Sequence, residues 1–374
     1  MSATGRDQAP APSPSALASA LEAAAFVRLV SDATGDALAG TGVLARALND
    51  DDTPFQASVV APFADPDRTT EADVTVALGA GHTGADHTLP TTPAATAFAV
   101  ARELGASPDP VLALAGTVAG GDVDGTVADA VERAGAERRP GLAVPVADVA
   151  DGLAHSTLLS GPFSGDIEAV QAAVADLGLP ADTATDLTDD DHRRVASLAA
   201  LAVTEDAPER ATEAVAAGLH PYAGGPFETV GGYADVLDAV AREAPGTGIA
   251  LALGHGGVRE SALSAWRTHA TRAHGAVADA TTGRYDGLFV ARGDAMPVDT
   301  VARLVADFHA PEPVTLVVTD GEAAARATDG RDVAATMRAA TDAVGGQTAG
   351  SGDRARARFD VPTSELIEAF REAA

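Results

Sequence analysis

The sequence predicts an α/β protein, a parallel-sheet domain followed by a smaller α/β domain. Three observations predict it. Short apolar runs alternate with helical patterns from Phe26 to about Ala202, the order that builds a parallel sheet covered on both faces. A break rich in Pro and Gly interrupts this alternation near residues 220–232. A second alternation of helices and strands then runs to the C-terminus. A length of 374 residues suits two domains, and no fixed-period repeat is visible.

The elements follow in order. The opening MSATGRDQAPAPSPSA is polar and Pro-rich, without a basic start or an apolar core. Residues 1–24 therefore read as a disordered tail and not a signal peptide. FVRLV, FQASVVAPF and ADVTVALG read as strands of a first domain over 25–203. TAFAVARELG, DPVLALAGTVAG, TVADAVERAG, DIEAVQAAVADLG and DDDHRRVASLAALAV read as its helices, the last opening behind the acidic TDDD. Residues 204–232 read as a linker. In the second domain, 233–374, YADVLDAVARE is helical, TGIALALG a strand, and RESALSAWRTHATRAHGAV a long helix. YDGLFVA, EPVTLVV and RARARFDV are further strands, with helices between and after them.

Composition narrows the setting. The hydrophobic fraction of 46% supports real cores, although aromatics make up only 4%. There is no long apolar run of the kind a membrane span needs, so the chain reads as cytoplasmic with no membrane partner. Cysteine is absent, which removes disulfides and thiolate metal sites. Asp and Glu total 54 against 25 basic residues, every one of them Arg, for a net charge of -29. Such a surface repels itself in dilute buffer, whereas at molar salt the Debye length falls to about 3 Å. The pattern is that of a protein from a salt-accumulating halophile.

Most general chemistries find no support. GDALAGTG and GGDVDG lack the Lys of a phosphate-binding P-loop. His155 and Ser156 are adjacent, but no GxSxG elbow surrounds a serine. His269 and His274, near Arg267 and Arg272, read as a solvated helix face. Oxygen and nitrogen donors for a hard metal are Asp32, Asp36, Asp86, His87 and Asp122, each near the end of an element of the first domain. A two-metal phosphoesterase needs about five such ligands brought together. In the second domain, Arg354, Arg356 and Arg358 recur at period two and share one strand face. Such a row fits the phosphates of a nucleic acid strand or pairs with neighbouring acids.

Several stretches resemble the archaeal RecJ-like proteins of the DHH phosphoesterase superfamily, over nearly all of the chain after the tail. Asp32-Ala33-Thr34-Gly35, between a strand and VLARAL, resembles that family's DADG motif. The junction PYAGGPFETVGGYADVLDAVAREAPGTGIALALG is similar to its interdomain segment. Arg326 and Gly330 match an Arg-S-P-x-G stretch of the DHH-associated domain, and Gly345, Gly346 and Gly350 match its Gly-rich GGH turn. The resemblance implies a DHH-like domain and a DHH-associated domain, with Arg326, Arg354, Arg356, Arg358 and the three turn glycines contacting nucleic acid. It also implies Mn²⁺ or Mg²⁺ as cofactor in active members.

The departures from that pattern point the other way. Thr34 stands where the second Asp belongs, and ADVTVALG ends in Ala77-Leu78-Gly79 without an acid. The DHH motif reduces to Asp86-His87-Thr88 at shortened spacing. Asp122 fits the fourth motif only with a slipped register, and Ser351 stands nearest the His of the GGH turn. Asp32, Asp36, Asp86, His87 and Asp122 are then vestiges, and no cofactor is expected. The favoured reading is a non-catalytic protein of DNA replication or repair that binds single-stranded DNA or RNA, replisome partners such as GINS and the replicative helicase, or both. The alternatives are a Mn²⁺- or Mg²⁺-dependent single-strand 5'-3' exonuclease or phosphoesterase, and an interaction scaffold that binds no nucleic acid.

Overall fold

The computed structural model describes residues 12–64, 71–80, 84–121, 123–179 and 187–374. Helix α1 (Pro14–Glu22) precedes β1 (Val27–Asp32), α2 (Gly35–Asp50), β2 (Phe55–Val60), β3 (Val74–Leu78) and β4 (His87–Leu89). Then come α3 (Pro93–Glu103), α4 (Pro110–Gly120), α5 (Gly125–Arg133), α6 (Val149–His155), α7 (Ile167–Asp176), α8 (Asp189–Thr204) and α9 (Ala211–Ala217). Three helices lead toward the second sheet: α10 (Val230–Glu243), α11 (Pro245–Ala252) and α12 (Arg259–Asp279). The rest is β5 (Thr281–Tyr285), β6 (Leu288–Arg292), α13 (Val298–Phe308), β7 (Val314–Val318), β8 (Glu322–Ala327), α14 (Val333–Val344), β9 (Gln347–Ser351), β10 (Arg354–Arg358) and α15 (Thr363–Ala373).

The first sheet is parallel, in the order β2-β1-β3-β4. The second sheet is mixed, in the order β5-β6-β7-β8-β10-β9, with only β6 and β7 parallel. The α/β class and the split into a parallel-sheet unit and a later sheet are as the sequence predicts. β8 carries Ala at four of its six positions. It has little strand propensity of its own and is held by β7 and β10 on either side.

Several expectations are corrected. The tail does not extend to residue 24. Ser13 caps α1 by accepting from Ala16 N, Pro14 occupies the first turn, and Leu17 and Leu21, one turn apart, are buried. TGIALALG is α11 and not a strand. An unbroken apolar run carries no period, and Ala and Leu favour a helix behind Pro245. The segment 204–232 is not a free linker, because it contains α9 and buries Ala211, Val215, Tyr222 and Phe227.

The expected boundary at 233 also moves. Val230, Tyr233, Val236, Leu237 and Val240 of α10 join the core around the parallel sheet, as do Leu251 of α11 and Trp266 of α12. α10 is buried over most of its length, which suits a helix with neighbours all round. A second core joins α6–α9 to α13 and one face of the second sheet, and a third lies under α14 and α15.

Candidate functional site

The carboxyl edge of a parallel sheet is where an α/β protein places its ligands. β1 delivers Asp32 there, and its carboxylate leans over the end of β3. A Cβ added at Gly79 would stand 2.1 Å from Asp32 Oδ2, and Gly79 itself takes a φ of +107°. Only glycine fits beneath that carboxylate. Thr34, at the position of the second motif acid, caps α2 with its hydroxyl accepting from Ala37 N at 3.3 Å.

Asp36 lies in the first turn of α2 and is only 8% exposed. Its Oδ1 accepts from Ala94 N at 2.9 Å. That bond matters for α3, whose own cap residue Thr92 sits at a φ of 42° and gives no side-chain cap. Asp36 thus caps a neighbouring helix. It also lies against the last turn of α4, since a Cβ at Gly120 would stand 2.8 Å from Asp36 Oδ2.

Asp86 and His87 do not reach this edge. Val76 pairs with His87, so Asp86 is level with Thr75, which pairs with Arg28 on β1. Asp32 is four residues further along, or about 13 Å at the rise of a strand. Asp86 instead fastens the start of β4: its Oδ2 accepts from Thr75 N at 2.8 Å and its N donates to Thr75 O at 3.0 Å. Asp122 lies outside the described residues. Among the described residues no three His, Cys, Asp or Glu group so as to hold a metal ion. The donors at this edge, Asp32 and Asp36, do not fit a two-metal pair, which needs several bridging and terminal ligands.

What meets the edge from the second domain is Arg354. Its Nη2 donates to Gly120 O at 3.0 Å, at the end of α4 and beside Asp36. A cation suits the negative end of a helix. Arg356 pairs with Asp299 at 2.9 Å and with Glu322 at 3.3 Å. Arg326 is mostly buried next to Asp307, 3.8 Å away, and burial lowers its pKa. Arg358 is exposed. The shared face of Arg354, Arg356 and Arg358 is as expected, with Ala355 and Ala357 buried on the other. Pairing with acids, one of the two readings of that row, holds for Arg356.

The turn glycines have backbone reasons. Gly345 ends α14 in the left-handed region, and a Cβ at Gly350 would lie 2.4 Å from Arg354 O. Gly330 has a φ of 80°.

The most connected polar centre lies on α10, where sequence reasoning saw only a helix. Asp235, 2% exposed, accepts from Thr157 N at 3.0 Å, Thr157 Oγ1 at 2.5 Å and Trp266 Nε1 at 2.8 Å. Burial raises its pKa against those donors. One turn on, Asp238 pairs with Arg242 at 2.5 Å and accepts from Gly35 N at 3.0 Å. Burial pushes the Asp238 carboxyl up, but Arg242 and the Gly35 amide outweigh it, and the net shift is down. Arg303 of α13 donates to Thr157 O at 2.8 Å and ties the second domain into the network. The signal was present: two acids and an Arg at three- and four-residue spacing inside an otherwise apolar helix.

His269 and His274 are not a solvated face; they are 1% and 4% exposed. His269 bridges Glu243 at 3.0 Å and Thr300 at 2.9 Å, and His274 Nε2 lies 2.9 Å from Ser156 O. α12 is sandwiched between α10 and α13, and these two histidines lie on its protein-facing side. Ser156 is no nucleophile for His155. Its hydroxyl accepts from Leu158 N, while His155 Nδ1 lies 2.9 Å from Asp151.

Comparison with known proteins places this geometry. Residues 280–372 match the family described as uncharacterized protein rrnAC1427, C-terminal domain. The Haloarcula marismortui protein rrnAC1427 is 69% identical over 373 residues, 100% of both chains. Among solved structures, CDC45 from Entamoeba histolytica is 8% identical with a TM-score of 0.59, over 93% of this chain and 95% of that one. RecJ from Thermus thermophilus in complex with Mg²⁺ is 15% identical with a TM-score of 0.53. That match covers 98% of this chain and 52% of RecJ, so the chain spans about half the length of that relative. The same RecJ is also similar in its Mn²⁺ complex, at a TM-score of 0.51. The fold is similar to that of RecJ and CDC45, as the motif resemblance implied.

Proposed function

The chain belongs to the family of the Haloarcula protein rrnAC1427, and from that premise and its RecJ-like fold we propose that it is a non-catalytic binding protein of DNA replication or repair. One observation carries the reading. Asp86 and His87, the remains of the DHH motif, stand about 13 Å and about 10 Å back along the sheet from Asp32. Of the carboxylates left at the carboxyl edge, Asp36 serves the fold by capping α3. A hydrolytic site in this frame needs metal ions to hold the scissile phosphate and activate water.

The ligand we favour is a replisome protein, with GINS and the replicative helicase as the partners the RecJ-like resemblance suggests. Arg356 and Arg326 already face acids, and at molar salt counterion release contributes little to phosphate binding. Single-stranded DNA or RNA is the second reading. It is favoured by Arg358, which is exposed, and by the half-exposed side chain of Arg354.

One assay tests both levels. End-labelled single-stranded DNA and RNA are incubated with the protein in molar KCl and Mn²⁺, with Asp32→Ala beside the wild type. No release of mononucleotides is expected from either. Release that Asp32→Ala abolishes sinks the non-catalytic reading. Binding without cleavage that is lost when Arg354, Arg356 and Arg358 are changed to Ala selects nucleic acid as the ligand.

A further inference from the structure

The helical region between the two sheets forms a partly open cavity of about 320 Å³. This lies in the range of small-molecule sites, roughly 300–1,000 Å³. Its floor is Leu153 and Val195, both buried. Its sides are Val144, Val149 and Leu187, aliphatic side chains left only partly buried because they face the open space.

The polar groups gather at one end. Arg139 and Glu228 pair there at 2.7 Å, with side chains 28% and 35% exposed. His192 lies beside them, against Gly141, where a Cβ would stand 3.3 Å from its Nδ1. Burial and then the nearby Arg139 lower the His192 pKa, against the opposing pull of Asp189, Glu228 and Asp191. The wall is built to hold its shape. Thr229 Oγ1 donates to Val144 O at 2.8 Å, Glu228 N donates to Pro145 O at 3.1 Å, and a Cβ at Gly232 would meet the Val144 carbonyl carbon at 2.1 Å.

We propose that this cavity binds a small α-amino acid with a branched aliphatic side chain. The aliphatic walls take the side chain, and the described lining residues carry no aromatic ring, which fits a branched body better than a flat one. The head group follows from charge. Among the described lining residues the charges of Arg139 and Glu228 cancel, so an anion alone would leave Glu228 opposed and a cation alone would leave Arg139 opposed. A zwitterion inserts between the pair. Its carboxylate takes the guanidinium and its ammonium takes the Glu228 carboxylate, so each ion keeps a partner. Charge-assisted hydrogen bonds of this kind are about twice as strong as neutral ones, which favours the zwitterion over a neutral amide.

The test uses the full chain in molar KCl, with L-leucine as the probe, read by calorimetric titration and by thermal unfolding. L-Leucine should bind and raise the unfolding temperature with concentration. Leucinamide lacks the carboxylate, isocaproate lacks the ammonium and glycine lacks the side chain, and each should bind at least about tenfold more weakly. Glu228→Gln should weaken leucine by a similar factor while circular dichroism stays unchanged, and Val149→Trp should abolish binding by filling the cavity. Wild-type protein that shows no response to millimolar leucine overturns the proposal, and so does equal affinity for all four probes. The wild-type arm decides even where a variant fails to fold.

Discussion

Two groups of acids in this molecule invite comparison, those at the ends of the parallel strands and those on α10. The strand-end acids, Asp32, Asp36 and Asp86, stand in the frame of a metal-binding motif. Of these, Asp36 and Asp86 each satisfy a backbone amide. The α10 acids carry no motif, yet Asp235 and Asp238 join segments as distant as Gly35, Thr157 and Trp266. A motif records which residue types stand in a turn. What those residues hold together is decided by the elements packed on that turn, and here the weight has moved to a helix that crosses behind it.

The largest test of this contrast is Asp235→Ala. It leaves three buried donors without an acceptor and should cost about 4 kcal/mol, read as a lower denaturation midpoint in molar KCl. A loss no larger than that of a strand-end variant would erase the distinction. Next is the acid response of the same network. Burial holds His274, which lies against Ser156 O, near a pKa of about 4, while the unfolded imidazole titrates near 6.5. Between these values the unfolded chain binds more protons, so stability is full above about pH 6.5 and falls as pH drops toward 4. The loss is on the order of 3 kcal/mol. His309, lowered by burial too, acts in the same direction. His274→Gln should flatten the slope of stability against pH in that window.

Asp36→Ala should cost less, about 1 kcal/mol, the worth of a helix cap. Hydrogen exchange should show the loss first at the amides that open α3. Smallest is Asp86→Ala. Its side chain is exposed apart from the bond to Thr75 N, so the change should stay within about 0.5–1 kcal/mol. A Mn²⁺-dependent rise in stability that either of these two variants removes would restore the strand-end acids as ligands.

Much of the fold was legible in the residues. The Val-rich runs became β1, β2 and β3, and TDDD became a capping box in which Thr188 and Asp191 satisfy each other. The period-two arginines became β10 with its alanines inward. The failures share a cause. α11 and β8 are stretches without a period of their own; Ala and Leu behind Pro245 favour a helix in the first, and pairing with β7 and β10 holds the second as a strand. Of the candidate site, the turn after Asp32 lies between a strand and a helix, β1 and α2, as read from the sequence. The position of Asp86 and His87 was not legible, because it depends on where β4 begins against β3. The buried histidines of α12 were misread for a similar reason. Charged neighbours in sequence suggest water, but Arg267 and Arg272 reach Asp151 and Glu243 and not solvent alone.

Helix α12 has one more consequence. Its first half, with Leu263 and Trp266, is anchored in the core of the parallel sheet, and its Ala273 in the core beneath the second sheet. A strut embedded at both ends transmits melting, so the two sheets should come apart in one transition and not two. The family match beginning at residue 280 marks a unit of ancestry that starts where the strut ends. It is not a unit of stability. Cut there, the C-terminal piece would keep its six strands but bare the surface on which α6 to α9 now rest, and it should associate or precipitate instead of standing alone.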